Sequence, residues 1–274
     1  MPRFAANLSL LYPELPLPER IGAAARDGFA GVECLFPYEW PAAELAARRA
    51  EAGVAWVLIN TPPGDWAAGE RGLAALPGRE AEFRRGVEQA LAWADALGCR
   101  RLHAMAGVPL PGMDRERCWA TCAENLAWAA RQAVGAGCTV LVEPLNPRDM
   151  PGYLLRTQAE AHRLVQALAL PNLKVQMDLY HCQVSEGDLT TKLRALLPTG
   201  RVGHLQIAGV PERHEPDSGE LDCQRLFGLI DELGAASGLG ELWVGAEYRP
   251  RRGAVPGGTT AGLGWLRAAN AAGR

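Results

Sequence analysis

The sequence predicts a single (β/α)8 barrel. Eight short β-like runs alternate with amphipathic helical segments from one end to the other, with no linker, low-complexity stretch or charge block between them. The 274 residues then allow about 34 per βα unit, the scale of such barrels. A doubly wound open sheet is the competing arrangement. It usually carries a Gly-rich phosphate turn after its first strand, where this chain reads Asn7-Leu8-Ser9-Leu10-Leu11-Tyr12.

Taken in order, the first run spans 3–7 and leads into a helix whose first turn holds Pro16 and Pro18, where a missing N–H costs nothing. Runs 31–35 and 54–60 follow, bounded by Gly, Pro or polar residues. In the third helix Phe83, Val87, Ala90, Leu91, Ala94 and Leu97 share one face, and Gly98 is its expected terminator. Run 101–105 precedes a helical segment with Cys118 and Cys122 at i, i+4, a spacing read as core packing because no second pair accompanies it. After run 139–143, Thr157 and Glu160 form a T-x-x-E capping box ahead of Leu164, Val165 and Leu168. Runs 173–178, 202–207 and 242–247 complete the set. The connections 61–79 and 208–220 exceed routine turns and are expected to bind or cover a ligand, the first as a lid.

Composition narrows the function. Apolar content of 48%, charged content of 22% and a net charge of -3 give no footprint for nucleic acid or a membrane surface. The first 20 residues lack a signal-peptide apolar stretch, and no window reaches the length of a membrane span, so a cytoplasmic protein is expected. The seven cysteines are scattered without CxxC spacing and are expected to be free, buried thiols. The apolar helix surface leaves room for a homo-oligomer, which periodicity does not distinguish from barrel packing.

Four successive runs end on an oxygen-bearing side chain: Glu143, Asp178, Gln206 and Glu247. Each is about one βα unit from the next, so a barrel brings all four to its C-terminal mouth, where barrel enzymes keep their chemistry. Three carboxylates at one point repel, and a divalent cation is the simplest resolution. The oxygen-only set favours Mg2+ or Mn2+ over Zn2+. Period-2 alternation places Gln176 and His204 just below, as supports for the ligands. His181, where the chain leaves the sixth run, is an expected substrate or supporting contact. A cation chelating two adjacent oxygens of a hydroxy-carbonyl substrate would acidify the intervening C–H, and Glu143 and Glu247 would move the proton. That chemistry is a 1,2-isomerisation or an epimerisation.

At these residues the chain closely resembles the hydroxypyruvate isomerase family, a branch of the xylose isomerase-like barrels. The resemblance covers nearly the whole length, through FAANLSLLY from Phe4, GVECLFPYEW from Gly31, NTPPGDWAAGERG from Asn60, PGREAEFRRGV from Pro77, VEPLN from Val142, MDLYHCQ from Met177, GHLQIAGVPERHEPDSGE from Gly203 and GAEYRP from Gly245. It implies proton transfer by Glu143 and Glu247, a divalent metal on Glu143, Asp178, Gln206 and Glu247, and no organic cofactor. It also implies conversion of hydroxypyruvate to tartronate semialdehyde and back. Similar sugar epimerases usually carry histidine at the position of Gln206, so the amide points to the hydroxypyruvate branch. Relatives place an arginine after strand seven. Arg213 is the expected grip on the substrate carboxylate, with Arg71 second to it and Asn60 a further substrate contact.

Rival readings are a 2-oxo-tetronate isomerase, a sugar 3-epimerase, a metal-dependent phosphodiesterase of the apurinic endonuclease type, and a catalytically dead binding protein. The first needs only a roomier pocket. The third predicts a histidine-rich multi-zinc site and a basic groove, which five scattered histidines and an acidic balance oppose. The last would have lost an acid from the constellation, and none is missing.

Overall fold

A computed structural model describes residues 1–273 and contains a closed barrel of eight parallel strands in sequential order. The strands are β1 (Arg3–Asn7), β2 (Gly31–Cys34), β3 (Ala55–Asn60), β4 (Arg101–His103), β5 (Thr139–Val142), β6 (Leu173–Asp178), β7 (Val202–Ile207) and β8 (Trp243–Ala246). All eight expected runs are strands. Several stop one or two residues short of the expected end, because at the mouth only one side of the ladder remains. The Ala104 N–H still bonds the Leu141 carbonyl at 2.9 Å, and the Glu247 N–H bonds the Ile207 carbonyl at 3.1 Å. Glu143 and Glu247 therefore stand one residue beyond regular pairing.

Helices wrap the outside where the apolar periodicity places them. Pro18 lies in the first turn of the helix Leu17–Arg26. The helix Glu80–Leu97 ends on Gly98 in the left-handed conformation, and both bonds of the Thr157–Glu160 capping box are present. All seven cysteines are free and buried. Among the described residues no helix is long and apolar enough to cross a membrane.

The barrel interior changes character along its axis. Its lower end is plugged by Ala5, Val57 and Trp243. The plug depends on absent side chains: a Cβ on Gly31 would stand 2.6 Å from the Trp243 ring and 2.7 Å from Val57. Above it the inward positions turn polar, with Asn7, Glu33, His103, Gln176 and His204 all buried. A polar interior of this extent departs from the branched apolar layers usual in such barrels. It forms the floor of the candidate site.

The long connection after β3 is pinned at its base, where Arg79 bonds Glu70 at 2.6 Å and Glu82 at 2.7 Å. Within it the Arg71 guanidinium lies 3.8 Å over the Trp66 ring, which packs on Phe36. Gly72 meets the chain after β4: a Cβ there would lie 2.5 Å from the Met105 carbonyl oxygen, so the loop approaches as only glycine permits.

Candidate active site

One cavity of about 680 Å³ opens at the C-terminal end of the barrel. Glu143, Gln206, Glu247, His181, Arg213, Asn60, Arg71 and Gln176 all line it. Asp178 lies just beneath the lining, within 3.6 Å of Arg213 and 3.7 Å of His181. His204 sits lower, bonded to Glu33 at 2.7 Å. The sequence-predicted residues therefore meet at one place.

The local fold explains how Asp178 is aimed. Strand β6 runs directly into the helix Leu179–Ser185, for which Asp178 is the N-cap: its Oδ1 accepts the Tyr180 N–H at 2.7 Å. Its Oδ2 is left buried without a hydrogen-bond donor, as is Oε1 of Glu143. Two orphaned carboxylate oxygens are costly unless a cation binds them. Ligand atoms of Glu143, Asp178 and His181 lie within 4.8 Å of one another, so the residues present fit a divalent metal.

His181 enters this cluster, although the sequence suggested a substrate or supporting contact. Its Nδ1 accepts the Asn146 backbone N–H at 3.1 Å. The ring proton must then sit on Nε2, the atom 3.7 Å from Asp178. Burial, with the Arg213 charge second, holds the imidazole neutral by pushing its pKa well below the usual range. With Nε2–H on the side of the acids the neutral ring offers a donor there, so the metal fit rests on the oxygen atoms of Glu143 and Asp178.

Arg213 alters the charge balance expected from the sequence. Its Nη2 is 3.1 Å from Glu247 and 3.6 Å from Asp178, so a guanidinium already compensates part of the acidic cluster. It is tightly held. Its backbone is left-handed (φ 57), its N–H bonds the Gly209 carbonyl at 2.9 Å, and its guanidinium lies 4.9 Å over the Tyr180 ring. The Tyr180 hydroxyl in turn donates to Asp149 at 2.7 Å. Arg71 stands at the rim, with Nη1 donating to the Trp66 carbonyl at 3.0 Å and the Glu70 carbonyl at 2.7 Å. Asn60 is 5% exposed at the end of β3, and its carbonyl accepts from the Tyr38 hydroxyl.

One cation leaves the three acids short of positive charge. Burial, then the charges of Glu247 and Asp178, push the Glu143 carboxyl well above the usual range. Burial raises Glu247 to about 8 and Asp178 to about 6, each against the opposing pull of Arg213. Groups whose folded pKa lies above the unfolded value stabilise the fold at low pH, and that contribution is lost as pH rises through the folded pKa. EDTA-treated protein is therefore expected to lose melting temperature between pH 5 and about pH 8, and Glu247→Gln to lose less. Equal slopes for the two proteins would remove Glu247 from this account.

Two functional candidates escaped the sequence reading. Glu33 is 1% exposed and accepts from Asn7, Gln206 and His204. Its signal was present, since Val32-Glu33-Cys34 sets an acid in an apolar run as Val142-Glu143 does. His103, inward-facing on β4, stands 3.5 Å from Glu143, and burial drops its pKa to about 3.

Comparison with known proteins adds to this geometry. A family model described as a xylose isomerase-like TIM barrel matches residues 21–269. The 2-oxo-tetronate isomerase of Cupriavidus necator is 54% identical over 267 residues, covering 97% of this chain and 98% of its own. The hydroxypyruvate isomerase of Escherichia coli K12 is 41% identical over 266 residues, again covering 97% and 98%. Among solved structures, a protein of Brucella melitensis described as AP endonuclease, family 2 superposes with a TM-score of 0.90 at 49% identity, covering 98% of this chain and 99% of its own.

Proposed function

We propose, on the premise that this chain belongs to the xylose isomerase-like TIM barrel family and is an isomerase of its hydroxypyruvate and 2-oxo-tetronate type, that it moves the carbonyl of a short 2-oxo acid between C2 and C3. The observation that carries this reading is the meeting of three buried acids and one guanidinium at the floor of a single cavity. Hydroxypyruvate, the substrate expected from the sequence, is the minimal case. The 54% likeness to a 2-oxo-tetronate isomerase favours the four-carbon acid as the better substrate.

In this reading Arg213 binds the substrate carboxylate through its paired N–H groups, with Arg71 at the rim as a second cation and Asn60 as a polar contact. Glu143, Asp178, Gln206 and Glu247 would hold a divalent ion, Mg2+ or Mn2+, by oxygen atoms alone. That ion would supply a Lewis acid for the two adjacent substrate oxygens. The Gln206 oxygen already accepts from Gln176, and its second lone pair leaves it able to ligate. No organic cofactor is needed, because the reaction is a redox-neutral exchange within the substrate.

One of the two glutamates takes the proton from C3, leaving an enediolate, and the same or the other returns a proton to C2. The C3 hydroxyl gives up its proton and becomes the carbonyl, and the C2 oxygen takes up that proton and becomes the hydroxyl. His181, neutral and protonated on Nε2, donates to an oxygen of the enediolate as negative charge develops there. The alternative of phosphodiester hydrolysis is disfavoured by the histidines themselves. Of the five, His181 alone enters the acidic ligand cluster, and His162 lies on an outer helix.

Kinetics with 2-oxo-tetronate, hydroxypyruvate and a neutral ketose side by side test the proposal. Both acids are expected to turn over, with kcat/KM higher for the four-carbon acid and the ketose inert. Turnover of the ketose alone would overturn the assignment to 2-oxo acids.

A further inference from the structure

We propose that Glu33 is a positioning residue that sets the donor–acceptor direction of a hydrogen-bond chain ending on Glu143, and so orients the Gln206 amide oxygen for the cation. The inference rests on the reading of Gln206 and Glu143 as ligands.

Glu33 occupies a place the fold has made for it. Its carboxylate is 1% exposed and every contact is a donor: Asn7 at 3.0 Å and Gln206 at 2.7 Å on Oε1, His204 at 2.7 Å on Oε2. On the other side of β1, β8 has Gly245, where a Cβ would stand 2.4 Å and 2.5 Å from the two carboxylate oxygens. Any other residue at that inward position would displace the acid. An interior designed only for packing would fill both places with apolar side chains.

A carboxylate that only accepts decides which way its neighbour faces. The Gln206 amide must turn its NH2 to Glu33, since the flipped amide would set two oxygens 2.7 Å apart. Gln206 Oε1 then faces the Gln176 NH2 at 2.6 Å, and the same NH2 donates to Glu143 Oε2 at 2.9 Å. Glu143 Oε1 is left without a donor. Each direction in the chain follows from the acid at its base. Supports of this kind typically change metal affinity about 10–100-fold when altered.

A double-substitution cycle separates this role from packing: wild type, Glu33→Gln, Gln206→Glu and the pair. Two readouts are taken, Mn2+ affinity by titration with electron paramagnetic resonance, and melting of the EDTA-treated protein. Glu33→Gln is expected to weaken Mn2+ binding about tenfold or more, because both amides can then flip. Gln206→Glu alone sets two carboxylates face to face and is expected to lower the melting temperature of the metal-free protein. In the pair the new amide donates to the new carboxylate, which still accepts from Gln176, so both readouts are expected to return toward wild type. Additive effects in both readouts, or wild-type Mn2+ affinity in Glu33→Gln, would overturn the inference. Failure of the wild type to bind Mn2+ would instead sink the metal reading, and the melting cycle would decide the role of Glu33 by itself.

Discussion

Glu143→Gln and Glu247→Gln are each expected to lower kcat at least about a hundredfold while leaving the barrel folded, the scale of a lost general acid–base group. The amide keeps the shape but cannot carry the proton. At Glu143 the Gln176 NH2 donates to Oε2 at 2.9 Å, so the new amide keeps its oxygen there and places its NH2 where the orphaned Oε1 stood. Metal content measured on refilled protein separates the two losses. Glu247→Gln is expected to retain the cation with turnover lost, and Glu143→Gln to lose turnover and bind the cation more weakly, because its NH2 replaces an oxygen ligand. Near-normal kcat in either would show that the proton moves by another group.

Arg213→Leu carries the second large effect. Removing one partner from a buried, hydrogen-bonded charge cluster costs about 2–5 kcal/mol, and here the same group is assigned the substrate carboxylate. A fall of at least about a hundredfold in kcat/KM is expected. Metal affinity is expected to move the other way, because the guanidinium 3.1 Å from Glu247 and 3.6 Å from Asp178 competes with a cation for the same oxygens. Isothermal titration with Mn2+ and steady-state kinetics on one preparation read both changes. Weaker metal binding accompanied by unchanged kinetics would take Arg213 out of the substrate site.

The strand ends were legible in the sequence because a closed parallel barrel converts spacing along the chain into position around a ring. Glu143, Asp178 and Gln206 follow apolar runs about one βα unit apart, and β5, β6 and β7 are neighbours in the barrel. Helix boundaries were legible where a local bond defines them, as at Thr157 and Glu160. What stayed hidden depends on contacts between residues distant in sequence. Glu33 bonds His204 across 171 positions, a pairing no periodicity reports. The reach of Arg213 back over Asp178 depends on a left-handed backbone at a non-glycine residue inside a loop. The tautomer of His181 follows from the Asn146 N–H, supplied by the loop after β5.

The central claim is that two glutamates pass a proton between neighbouring carbons of a 2-oxo acid, and 1H NMR of the metal-loaded enzyme in D2O measures it directly. A proton held on a carboxylate exchanges with solvent before it is returned. Deuterium is therefore expected at C2 of the 3-oxo product, and at C3 of recovered 2-oxo acid after reversal, with neither label forming in Glu143→Gln. Repeated turnover with complete retention of the original hydrogen would contradict transfer through two carboxylates that exchange with solvent.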